Sequence, residues 1–380
     1  MNKPQYQKVL SEKAALSQKA PAKASAHESA IKHVTGSAQY VDDQPESRGL
    51  LHAATGWCEA TCGKIVSMDL SAVQAAPGVM AVITLADVPG HTDIGPVFPG
   101  DPLLADGEIK FYGQPIFAVA ADTYENARRA AMLGQFEVDE CAPILDPKTA
   151  VLHDRLVRPT HAMHYRNAAG DHAQRVLAGA SRIVEGHMHI GGQEHYYLEG
   201  QVSQATPTED GGMFIRSSTQ HPSEVQKLVA EVLGKPLSAI TVETRRMGGG
   251  FGGKETQAAQ WACIAALLAS RNRCAVKLRL PRFTDMHVTG KRHPFENSYD
   301  VAFDDTGKIE ATRMEINGIC GHSPDLSDAI VDRAMFHADN GYFLGNSDIV
   351  GHRLKTNMVS HTAYRGFGGP QGMIMAEAMM

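Results

Sequence analysis

Positions 248–253 hold five glycines in six residues, inside the run Met247-Gly-Gly-Gly-Phe-Gly-Gly-Lys-Glu-Thr256. Without a Cβ, such a segment can turn sharply and bring its backbone close to a ligand or to another chain segment. The residues before it, 239–244, are rich in β-branched side chains and predict a strand. The residues after it, Thr256 to Ser270, are rich in Ala, Leu and Ile at helical spacing and contain no Gly or Pro. A strand, a glycine turn and a helix start together predict a place to hold an anion, because the first amides of a helix lack internal partners.

The rest of the chain narrows the choice of partner. It has 380 residues, 43% of them hydrophobic, and a net charge of -6. That is enough for two domains with cores, and the acidic balance without basic stripes argues against nucleic acid. No apolar stretch is long enough to span a membrane, and no apolar segment follows the N-terminal lysines as a secretory signal would. The six cysteines, Cys58, Cys62, Cys141, Cys263, Cys274 and Cys320, form no Cys-x-x-Cys, so no zinc or iron–sulfur site is expected. Cys58 and Cys62 stand close in sequence, but two thiols alone do not make a metal site. A reducing cytoplasm fits this usage.

Residues 1–30 are Lys-, Ala-, Ser- and Gln-rich and are expected to be a flexible polar tail. Residues 31–140 mix short strands (49–55, 78–84, 114–121) with an Ala-rich helix at 123–133, an α+β pattern. A linker is expected over 141–180, with its polar stretch 158–171 read as loop. A second domain follows over 181–380.

Two nucleotide motifs match the glycine run and each fails at one position. Gly248, Gly253 and Lys254 fit G-x-x-x-x-G-K, but a Mg²⁺-binding hydroxyl is then required and Glu255 stands there instead. Gly248, Gly250 and Gly253 fit G-x-G-x-x-G, but no acidic residue lies between Glu255 and Asp285 to hold a ribose. The element Phe-Gly-Gly recurs at 367–369, again ahead of a helical run (373–380), with Pro370 suited to a first helical turn and Arg365 adding a cation for oxyanions. Two such turns facing one another would cradle something large, planar or polyanionic. His187, His189 and His195 lie close in sequence, but no third geometric partner is evident, and they are read as polar strand residues.

With these motifs the chain resembles the molybdenum hydroxylases, in particular the molybdopterin-binding (large) subunits of xanthine dehydrogenases. The resemblance runs from about Val34 to Met380. It rests on Thr35-Gly-Ser-Ala-Gln-Tyr-Val-Asp-Asp43, Gly191-Gly-Gln-Glu-His-Tyr-Tyr-Leu-Glu199, Ser218-Thr-Gln220 and the two glycine turns. It implies an α+β chain: an α/β hammerhead followed by the first part of a molybdenum-cofactor-binding domain, incomplete at its C-terminus. It implies a molybdenum–molybdopterin (pyranopterin) cofactor contacted by Gln220, Phe251, Gly252 and Arg365. Gln220 would hydrogen-bond a molybdenum oxo ligand, and no side chain would bind the metal directly. Glu255 and Arg333 would orient a purine, with Phe367 packed against it. The implied reaction is hydroxylation of hypoxanthine and xanthine to urate. A general-base glutamate assists it in the family, and no residue here matches that base. Electrons would leave through 2Fe-2S clusters and FAD on a partner subunit to NAD. On this reading the chain is truncated, and inactive without the missing half of its cofactor domain. Aldehyde oxidases usually lack the charged pair. An aldehyde oxidase-type hydroxylase and a non-catalytic assembly module are the alternatives.

Overall fold

The computed structural model describes residues 26–164 and 171–380. Met1–Gln39 and Tyr40–Met380 form separate compact units. Within the first, a short helix spans Ala30–Val34; the rest of the expected polar tail lies largely outside the described residues. All other elements belong to the second unit.

A seven-stranded sheet has the order β11-β10-β9-β12-β1-β5-β3. Its strands are β1 (Leu51–Gly56), β3 (Val79–Ile83), β5 (Phe117–Ala121), β9 (Val202–Pro207), β10 (Met213–Ser217), β11 (Ile240–Glu243) and β12 (Val276–Arg279). The strands expected near 49–55, 78–84 and 114–121 are β1, β3 and β5. They do not form a sheet of their own: β1 pairs parallel with β12, Leu51 opposite Val276. A three-stranded sheet, β4-β2-β6, is built from β2 (Gly63–Asp69), β4 (Glu108–Ile109) and β6 (Gln135–Glu140). Helix α1 (Tyr124–Ala131), capped by the Thr123 hydroxyl on the Asn126 amide, packs Ala130 beside Phe117, Val119 and Ile109.

Cys62 and Cys141 are joined by a disulfide just beyond the Gly63–Glu140 pair of β2 and β6. The strand register places Cys141, not its sequence neighbour Cys58, opposite Cys62, and Cys58 is free.

A five-stranded sheet has the order β7-β15-β14-β13-β8. It comprises β7 (Leu156–His164), β8 (Ile183–Ile190), β13 (Phe295–Phe303), β14 (Ile309–Gly321) and β15 (Asn346–Lys355). The expected linker therefore carries a helix (Pro147–Leu152), the strand β7 and helix α2 (His172–Gly179). The loop reading of 158–164 is corrected: β7 is an edge strand, where Pro159 withholds no ladder hydrogen bond and polar side chains stay wet. Residues 165–170 of that loop lie outside the described residues.

Helix α3 (Pro222–Leu233) leads from β10 to β11, and the run 244–257 leads on to α4 (Ala258–Asn272). Residues Ala258 to Ala269 of α4 are buried apart from Gln260, with Trp261, Ile264 and Leu268 against the seven-stranded sheet and α3. Each such buried Leu or Ile is worth roughly 1.5–3 kcal/mol. Helix α5 (Arg282–Val288) follows β12, and α6 (Ser327–Phe336) and α7 (Gly369–Met379) cover the five-stranded sheet through Ile330, Val331, Met335 and Met375. Gly368 and Gly372 let α7 approach α6, since a Cβ on either would lie 2.0 Å from the Ile330 or the Ala334 carbonyl oxygen.

Candidate functional site

The two Phe-Gly-Gly turns share one backbone shape. Phe251 and Gly252 have φ of 54° and 104°; Phe367 and Gly368 have 49° and 88°. A phenylalanine with positive φ is strained and persists only where its surroundings impose it. The surroundings here are the other turn. The Arg365 amide donates to the Phe251 carbonyl at 3.0 Å, and a Cβ on Gly252 would stand 2.4 Å from the Ala363 carbonyl oxygen. Gly252 is therefore a glycine because a second stretch of backbone lies against it.

Gln220, at the end of β10 and ahead of α3, reads the first turn directly. Its side-chain oxygen accepts from the Gly252 amide at 2.8 Å and the Lys254 amide at 3.4 Å, while its own backbone amide donates to the Lys254 carbonyl. With the oxygen committed inward, the NH₂ end of Gln220 is the donor left to an outside group. Arg365 is exposed on the second turn, and the Phe251 ring is 53% exposed. The expected cofactor residues Gln220, Phe251, Gly252 and Arg365 are thus joined into one rim, Gln220 by its side-chain oxygen to the Gly252 amide and Arg365 by its amide to the Phe251 carbonyl. Its side-chain donors, an amide and a guanidinium, suit an anionic, oxo-bearing group.

Of the residues expected to orient a purine, Glu255 follows the first turn, Phe367 lies in the second and Arg333 lies on α6. Glu255 follows Lys254 and is half-buried; burial pushes its pKa up, and the nearby His221 pulls it down. Glu224, in the first turn of α3, is pushed up to about 7 by burial and then by the Glu255 charge, and its Oε2 lies 3.4 Å from His221 Nδ1. Arg333 is exposed on α6, and Phe367 is half-buried against the core of the five-stranded sheet. Helix α6 packs Ile330 and Ala334 against Gly368 of the second turn. Among the described residues no hydrogen bond or ion pair joins Glu255 to Arg333.

The helix-start expectation changes in detail. Helix α4 begins at Ala258, past the turn, and the residues before it face inward. Thr256 and Gln257 donate to buried Asp325, whose pKa burial pushes up to about 6. Only α7 springs directly from its glycine turn, with Pro370 in its first turn.

Three contributors were missed in the sequence. His195 is not a strand residue. It is buried between the turns, where its Nε2 meets the Ala363 carbonyl at 2.7 Å and its ring fills the space a Gly253 Cβ would need. His187 and His189 do lie on β8 and pair with Glu296 of β13; among the described residues no cluster is arranged to hold a metal ion. Arg292 donates to the Gln193 side chain and the Arg365 carbonyl, with its guanidinium 3.8 Å over the Tyr364 ring. Lys254, the lysine of the failed nucleotide motif, points its Nζ inward to the Glu199 carbonyl.

Residues 153–380 match the family profile of the molybdopterin cofactor-binding domain, and residues 35–140 match the a/b hammerhead domain of aldehyde oxidase and xanthine dehydrogenase. The chain belongs to this molybdopterin-binding family. It is 42% identical over 354 residues to a xanthine dehydrogenase of Oryza sativa subsp. japonica and 39% identical over 355 residues to a xanthine dehydrogenase/oxidase of Gallus gallus. These alignments cover 92% and 93% of this chain but 26% of each relative, so the chain spans about a quarter of their length. The aldehyde oxidoreductase of Desulfovibrio gigas superposes with a TM-score of 0.81 at 27% identity, covering 92% of this chain and 40% of that one. A Cu,Mo-CO dehydrogenase shares the fold at a TM-score of 0.81 and 20% identity, over 93% of this chain and 48% of its own. The hammerhead and cofactor-domain assignment of the α+β chain is thereby established. No helix among the described residues is long and apolar enough to cross a membrane.

Proposed function

We propose that this chain forms one wall of the active site of a molybdenum hydroxylase acting on purines. The observation that carries the reading is the rim described above: Gln220 bound to Gly252, and Arg365 bound to Phe251, present donors and turn backbone on one side. Bound there, the molybdenum–pyranopterin cofactor supplies two-electron hydroxylation chemistry. Gln220 would offer its NH₂ to an oxygen of the bound group, Arg365 would balance its negative charge, and the Phe251–Gly252 backbone would lie beside it.

Glu255 and Arg333 hold the two ends of a purine, and Phe367 packs on its ring. The Glu255 carboxyl can accept from a ring N–H, and the Arg333 guanidinium can donate to a carbonyl or ring nitrogen. Hypoxanthine and xanthine both offer that pattern. The general base and the rest of the cofactor cradle are supplied by sequence outside these residues, and iron–sulfur and FAD centres on a partner chain take the electrons to NAD.

The test is substrate discrimination by the enzyme assembled from this chain with its iron–sulfur and FAD partner. Glu255→Gln and Arg333→Met are each expected to lower kcat/KM for hypoxanthine and xanthine by about 100-fold, the cost of one charged hydrogen bond in a closed site, with much smaller losses on an aromatic aldehyde. Equal losses on purine and aldehyde would remove the purine assignment and favour an aldehyde oxidase.

A further inference from the structure

Lys254 is fully buried, an unusual place for a lysine. Its Nζ donates to the Glu199 carbonyl at 2.7 Å and to the Ser218 hydroxyl at 2.6 Å, lies 3.7 Å from Glu199 Oε2 and sits 4.5 Å over the Tyr197 ring. The Glu199 carboxylate is itself a hub. One oxygen accepts from the Gly248 amide and the Ser218 hydroxyl, both at 2.7 Å, and the other from the Val41 amide at 3.3 Å. Gly248 opens the glycine run and Lys254 closes it. One buried ion pair therefore grips both ends of the turn, and Ser218 ties the pair to the segment carrying Gln220.

We propose that Lys254 is the positioning residue of the first turn: with Glu199 and Ser218 it clamps Gly248 to Lys254 and so sets the backbone of Phe251 and Gly252. The relevance to cofactor binding rests on the function proposed above; the clamp itself does not.

A lysine serving only the fold would gain from its site. Here burial outweighs the attraction of Glu199 and Asp285, with Arg282 adding repulsion, and the pKa falls to about 8. The folded state thus holds the Lys254 proton less firmly than the unfolded chain does. The charged clamp costs stability at neutral pH, and that cost is relieved as pH rises from about 8 toward 10.5. The fold keeps the charge at neutral pH despite this cost, and the charge makes two hydrogen bonds that fix the end of the turn.

Amide hydrogen exchange of the peptide covering 246–256, measured on the 380-residue chain and corrected for intrinsic rates, tests the clamp. In the wild type, protection is expected to be flat from pH 6 to 7 and to rise above pH 8, because the closed turn holds the Lys254 proton less firmly than the opened one. Lys254→Met is expected to raise exchange about tenfold at pH 7 and to abolish the break at pH 8, while α4 beyond Trp261 exchanges as before; Lys254→Arg restores part of the protection. Ser218→Ala, which removes one acceptor and spares the packing, is expected to move the break to lower pH, and it decides the matter if Lys254→Met does not fold. Protection within twofold of wild type in Lys254→Met, or a break that stays put in Ser218→Ala, overturns the proposal. A confirmed clamp in a chain that retains no molybdenum with its partner present would sink the cofactor reading and leave the clamp standing.

Discussion

Gly252→Ala probes the contact on which the whole site depends. At φ of 104° an L-residue is strained by about 1–2 kcal/mol. The new Cβ would also stand 2.4 Å from the Ala363 carbonyl oxygen, 2.6 Å from its carbon and 2.8 Å from the Tyr364 nitrogen. All three are backbone atoms of the second turn, so no side chain can swing aside. Forcing a methyl group into a packed site costs roughly 1–3 kcal/mol. The stiffer unfolded chain returns about 0.4–1 kcal/mol. The net expectation is a loss of roughly 1–4.5 kcal/mol, centred near 3.

Gly307→Ala supplies the control. Gly307 has φ of 84° and no atom within 4 Å of its added Cβ, so only the conformational strain applies, a loss of about 1 kcal/mol or less. The chain has two tryptophans, and buried Trp261 lies in the first turns of α4, close to the altered turn. Urea unfolding followed by its fluorescence gives both values. If Gly252→Ala costs no more than Gly307→Ala, the two turns do not bear on one another as described, and the account of why this position is glycine is wrong.

Other consequences follow from the same structure. Asp325 keeps its proton in the folded state up to about pH 6, against 3.8 ordinarily, so its contribution is full below pH 3.8 and lost as pH rises through 6. Asp325→Asn is expected to remove about 2 kcal/mol of the fall in unfolding free energy between pH 4 and 6.5, read from urea curves at each pH; parallel curves for variant and wild type would count against the assignment. Arg292→Met takes away the support under the Arg365 carbonyl and the stack on Tyr364, and trypsin should then cleave after exposed Arg365 about tenfold faster, as loss of a charged hydrogen bond allows; an unchanged rate would show that the second turn holds itself. The Cys62–Cys141 bridge closes a separation of 79 residues, for which chain entropy sets an upper figure of about 4.5 kcal/mol. Cys62→Ser should lower stability under oxidising conditions and leave it unchanged in reductant, and alkylation of the unfolded wild type before reduction should label four cysteines, not six.

The elements that dominate the site were readable because their signals are local. A strand rich in β-branched residues, a glycine run and an alanine-rich helix announce β11, the first turn and α4 within thirty-odd residues. What stayed hidden depends on distant register. Cys141 meets Cys62 only because β2 and β6 pair, β7 hides as polar sequence because it is an edge strand, and β1 joins β12 across the boundary that composition drew. His195 was invisible for the same reason: its role is to fill the gap between two glycine turns that lie 58 and 168 residues away along the chain.

The lysine of the first turn shows why a motif alone misleads. In a phosphate-binding loop the lysine after the last glycine must point at the ligand, and the loop curls round an anion. Here the same spacing places Nζ against Glu199 and Ser218, and the anion that the turn encloses is the protein's own carboxylate. The interior of the loop is thereby filled, and the face left open is the outer one, where Phe251 is exposed beside Gln220. Glycine content gives both kinds of turn the freedom to form. The choice between them lies with the partner of the lysine, and Glu199, fifty-odd residues upstream, makes that choice.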